Sequence, residues 1–63
     1  MEQAWITYLE NYKFTVLDLE KILTIPECYN STKVWEAIIK HQTVDVGFLI
    51  RHENRLNTLN IFN

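Results

Sequence analysis

The chain has one cysteine, one glycine and one proline, and only six basic residues. Each scarcity removes a class of protein. With Cys28 alone, no internal disulfide can close. Cys28, His41 and His52 also lack the close pairing of tetrahedral zinc sites, so no metal and no other cofactor is expected. A single glycine, Gly47, leaves no glycine-rich loop to cradle a phosphate. Gly47 and Pro26 together supply no flexible linker, and no low-complexity segment or internal repeat appears. No stretch approaches the ~20 apolar residues of a membrane-spanning helix. The opening Met1-Glu2-Gln3 lacks the basic segment and apolar run of a secretory leader. The expectation is a cytoplasmic protein without membrane contact.

What is present is apolar and aromatic: 48% hydrophobic residues and 13% aromatics stand against 22% charged ones, a balance that folds rather than stays disordered. A chain of 63 residues buries only ~60% of the surface that its unfolded form exposes. One domain spanning 1–63 is therefore the ceiling, and a homodimer is one way to enlarge its core.

Trp5, Tyr8, Leu9 and Tyr12 recur at the spacing of one helix face, which predicts a first helix over 2–12. Thr15, three residues before Asp18, is an approximate capping box opening a second helix. Val16, Leu19, Ile22 and Leu23 share its apolar face, and Pro26 stops it near Thr24. Asn30, Ser31 and Thr32 are N-cap residues for a third helix that runs to about His41 with Val34, Trp35, Ala37, Ile38 and Ile39 at helical spacing. Trp5 and Trp35 read as core residues. Residues 25–30 then form a tight corner between the second and third helices. Val44, Val46, Phe48 and Ile50 alternate with period two, followed by a polar break at His52-Glu53-Asn54-Arg55. Leu56, Thr58, Leu59 and Ile61 resume among asparagines that disfavour helix, so the last third reads as a β-hairpin, with a short terminal helix as the alternative. The predicted class is α+β, three short helices followed by a C-terminal β-hairpin.

That order of elements is the order of a winged helix-turn-helix. The stretch from Trp5 to Asn60 resembles the small excisionases of conjugative transposons and phages. The similarity lies in the aromatic lead-in, in Phe14-Thr15-Val16-Leu17-Asp18-Leu19-Glu20 opening a helix that Ile25 closes, and in Asn54-Arg55-Leu56 at the wing tip. Glu53 departs from the glycine that the family places at that turn. The resemblance implies a DNA-binding regulator or excisionase-type architectural factor from a phage or mobile element. It puts Asn30, Ser31, Thr32, Lys33 and Glu36 of the third helix in the major groove, and Arg51, His52, Asn54 and Arg55 of the wing on the backbone or minor groove.

Charge qualifies this expectation. The net charge is −2, without the basic footprint common to DNA-binding domains. Residues 1–30 set Lys13 and Lys21 against Glu2, Glu10, Asp18, Glu20 and Glu27, a balance of −3. Residues 31–63 set Lys33, Lys40, Arg51 and Arg55 against Glu36, Asp45 and Glu53, a balance of +1. DNA binding by such a chain is expected to be weak or cooperative, with the basic residues of the second half on phosphates. The alternative is a protein-binding module or inhibitor acting on a host protein through the acidic first half and Tyr8, Tyr12 and Tyr29. Catalysis is not expected: neither histidine has a nucleophile or an orienting carboxylate at a recognisable spacing, and no small-molecule substrate is implied.

Overall fold

A computed structural model of the chain describes residues 2–61. Among the described residues six helices follow one another: α1 (Glu2–Asn11), α2 (Val16–Ile22), α3 (Pro26–Tyr29), α4 (Thr32–His41), α5 (Val46–Arg51) and α6 (Glu53–Thr58). Among the described residues there is no strand, so the α+β class and the winged arrangement are both overturned.

The helix starts have plain local causes. The Thr15 hydroxyl accepts from the Asp18 amide at 3.1 Å and opens α2. Pro26 opens α3 at a position where its missing N–H costs nothing. The Ser31 hydroxyl accepts from the Val34 amide at 3.1 Å and opens α4, a helix that separates apolar from polar sides more sharply than α1 does. The one-turn α3 fills the corner that the sequence left between the second and third helices.

The hairpin expectation fails at Asp45. Its carboxylate accepts from the Phe48 amide at 2.7 Å, which caps a helix where alternation predicted a strand. The period-two run is then an accident of a six-residue helix. Val44 precedes the helix, Phe48 is buried, and Val46 and Ile50, one turn apart, are 70% and 66% exposed. The terminal asparagines stop α6 rather than prevent it. Asn60 has φ of 60°, the left-handed value, and the Ile61 amide reaches back to the Leu56 carbonyl while that of Asn60 reaches Asn57, both at 3.1 Å. That pairing is a Schellman ending.

The core is gathered around Trp35. Leu9, Leu19, Cys28, Val34, Trp35, Ile38, Phe48 and Leu56 are fully buried, and Trp5 is half-buried against them. The Trp35 indole N–H donates to the Tyr29 carbonyl at 2.7 Å, and its ring meets those of Tyr29, Phe48 and His52 at centroid distances of 5.8, 6.3 and 5.2 Å. Among the described residues no buried side-chain polar atom lacks a hydrogen-bond partner.

The two longest helices, α1 and α4, pack side by side and run parallel. At their N-termini the Ser31 hydroxyl donates to the Glu2 carboxylate. At their C-termini the buried Gln42 amide donates to the carbonyls of Leu9 at 2.7 Å and Tyr12 at 2.6 Å, and its oxygen accepts from the Phe14 amide at 2.9 Å. The intervening α2 and α3 form the crossover that a parallel pair requires. The backbone also repeats itself: α1 and α4 begin 30 residues apart, as do α2 and α5.

Candidate protein interface

The residues expected to contact DNA divide between two regions of the fold, Glu36 standing exposed on α4 with its neighbours. Thr32, Lys33 and Lys40 lie exposed on α4, on the side away from its buried Val34, Trp35 and Ile38. Asn30, also exposed, is the C-cap of α3. Ser31 is buried, with its hydroxyl committed both to the α4 cap and to Glu2, so it holds the fold rather than faces a base edge. The other four belong to the α5–α6 end. Arg51 and His52 converge on one carboxylate: Glu20 Oε2 accepts from Arg51 Nη2 at 2.7 Å and Nε at 2.9 Å, and Glu20 Oε1 lies 2.6 Å from His52 Nε2. Arg55 lays its guanidinium over the Tyr29 ring, 4.4 Å from the centroid. Asn54 is exposed, and its carbonyl accepts from the Thr58 hydroxyl at 2.8 Å.

Glu20 therefore ties α2 to the α5–α6 junction. Burial pushes its carboxyl up, but hydrogen bonds from Arg51 and His52, with the charge of both, outweigh burial and hold it below the ordinary value of 4.5. The rings of Trp35 and Phe48 flank His52, the latter 4.6 Å away, so this ion-pair cluster rests on the core. A phosphate approaching Arg51 has to compete with a carboxylate already in two-point contact.

The surface holds a different feature on α1. Trp5, Tyr8 and Tyr12 form a row, with centroids 6.2 and 6.0 Å apart. Helical periodicity placed these rings on one face with Leu9; α1 turns Leu9 inward, half-buries Trp5 against the core and leaves Tyr8 48% and Tyr12 61% exposed. Tyrosines with apolar rings and polar tips are favoured at protein interfaces, where they supply a large share of the binding energy. By helical periodicity the uncharged Ala4 and Asn11 lie on the row's flank of α1.

On the opposite flank of α1 an open trough of about 360 Å³ lies between α1 and α4, lined by Ile6 and Ala37 and rimmed by charged side chains. Among the described residues no group of three His, Cys, Asp or Glu is placed to hold a metal ion, and no helix is long and apolar enough to cross a membrane. Gln42, the residue that joins α1 to α4, carries no sequence signal that marks it, because its partners are backbone groups about 30 positions away. The chain matches no family model, no curated protein and no solved structure.

Proposed function

We propose that this chain is a non-enzymatic protein-binding module that docks through the aromatic flank of α1. The observation that carries the reading is the row of Tyr8 and Tyr12, two large rings left in solvent beside a half-buried Trp5 on a chain with little core to spare. Burying two such rings at an interface removes a large apolar area from water without the entropy cost of ordering long flexible side chains. The engagement of Arg51, His52 and Arg55 within the fold supports the same reading, since it leaves fewer free cations for a nucleic acid.

The experiment compares the immobilised chain with its Tyr8→Ala/Tyr12→Ala variant in lysate from its source cells, at salt high enough to strip weak nucleic-acid complexes. A protein retained by the first and lost by the second, with circular dichroism unchanged, supports the reading. Identical retention by both overturns it.

A DNA-binding reading keeps one supporting observation: Lys33 and Lys40 are exposed two turns apart on α4. It predicts a duplex gel shift at low salt that Lys33→Ala/Lys40→Ala removes.

A further inference from the structure

We infer that the trough between α1 and α4 binds an amphipathic helix of a partner protein, one that carries an acid–base–acid row along its flank. This goes beyond the aromatic flank, which lies on the other side of α1.

The trough runs along the parallel pair from Gln3 to Glu10 on α1 and from Lys33 to His41 on α4, about 10–12 Å. Ile6 and the little-exposed Ala37 supply its apolar part, and Gln3 and His41 add polar groups to its lining. Its α4 rim carries Lys33, Glu36 and Lys40, at successive spacings of three and four residues, so one charge of alternating sign rises at each helical turn. Across the trough stands Glu10. Among the described residues none of these four charges forms an ion pair, whereas Glu20, Arg51 and His52 are tied to one another. Beyond Glu36 and Lys40 a second concavity of about 400 Å³, lined by Ile39 and Ile61, gives the ridge an apolar margin on its other side.

The spacing selects the occupant. A helix packed along α4 advances by the same ~5.4 Å per turn, so three side chains at i, i+3 and i+7 stay in register with Lys33, Glu36 and Lys40. An extended strand brings its same-face side chains round every ~6.6 Å and loses that register within two steps. A nucleic acid presents negative charge at every step and meets Glu36 and Glu10 unfavourably. The complement of lysine–glutamate–lysine beside Ile6 and Ala37 is thus a helix with glutamate–lysine–glutamate beside a row of small apolar residues, the helix-in-groove mode of recognition. Charges placed this way contribute chiefly to choice of partner and register.

The test uses two labelled synthetic helical peptides of about four turns, lactam-bridged, identical in their apolar row and opposite in their flanking charges. Fluorescence anisotropy is measured against the full chain and against a variant with the rim inverted, Lys33→Glu/Glu36→Lys/Lys40→Glu. The glutamate–lysine–glutamate peptide is expected to bind at least about tenfold more tightly to the natural chain, and the preference to reverse on the inverted variant. Failure of both peptides to bind, or an unchanged preference after inversion of a variant that keeps its helical dichroism, overturns the inference. So does displacement of the bound peptide by duplex DNA at equal concentration. The Tyr8→Ala/Tyr12→Ala variant is expected to bind the peptide normally. Loss of binding there, with inversion ineffective, would move the peptide to the aromatic flank and overturn the trough alone.

Discussion

Replacing Gln42 by alanine removes the joint between the ends of α1 and α4. Three hydrogen bonds disappear, from Nε2 to the Leu9 and Tyr12 carbonyls and from the Phe14 amide to Oε1. At a net contribution of about 0.5–1.5 kcal/mol each, the loss is centred near 3 kcal/mol. A chain of this length has a total stability of roughly 3–9 kcal/mol. One side chain therefore carries a third or more of the margin. For a domain of this size 1 kcal/mol moves the thermal midpoint by about 4–8 °C, so a fall of roughly 12–24 °C is expected in a melt followed by circular dichroism. Urea titration is expected to agree, with an unchanged slope. Gln42→Glu separates geometry from chemistry. At neutral pH its carboxylate still accepts from Phe14 but sets two carbonyl oxygens against a group that cannot donate, so it is expected to be at least as damaging as alanine and to recover partly in acid. A loss below about 1 kcal/mol for Gln42→Ala would refute the assignment of Gln42 as the joint.

Glu20 has a depressed carboxyl, so its contribution is complete above the ordinary value of 4.5 and is lost as pH falls through the lower folded value. Urea midpoints taken from pH 6 down to 3 are expected to fall less steeply for Glu20→Gln than for the natural chain; parallel curves would contradict the pairing with Arg51 and His52. Asn60, at φ of 60°, is expected to tolerate glycine and to lose about 1 kcal/mol on change to alanine, measured by urea unfolding. Burial, and then the charge of Glu27, push the Cys28 thiol up, so it is expected to resist a thiol reagent near pH 8 in the native chain and to react at once in urea. Rapid reaction of the native chain would place Cys28 at the surface.

The helical first two thirds were legible because their signals are local. Thr15 with Asp18, and Ser31, act within three residues and stand where expected helices begin, whereas Pro26, read as the stop of the second helix, also opens the unforeseen one-turn α3. The last third misled because Asp45 outweighs the alternation of Val44, Val46, Phe48 and Ile50, and because asparagine favours the end of a helix as strongly as it disfavours the middle. Which apolar residues of α1 face inward was not legible either, since Tyr8 and Leu9 fit the same periodic stripe and packing chose Leu9. The expected DNA contacts rested on residue type, and type does not disclose that Glu20 and Tyr29 engage Arg51, His52 and Arg55. The backbone repetition was equally hidden, for only Trp5, Val16, Leu19 and Asn30 find an identical residue 30 positions on.

The parallel course of α1 and α4 also governs how the chain reaches its native state. The contacts that clamp the pair, Glu2 with Ser31, Lys13 with the His41 carbonyl and Gln42 with Leu9, join residues 28 to 33 positions apart, about half the chain. An up-and-down helical hairpin of the same size closes over a short loop, whereas here α1 waits for a partner that is synthesised last but two. Such separation raises the entropy of closure and slows folding relative to other small helical proteins. Until Gln42 has left the ribosome, α1 is a marginal ten-residue helix whose Leu9 and inner Trp5 surface stand in water, and in that interval the chain is most open to aggregation or capture.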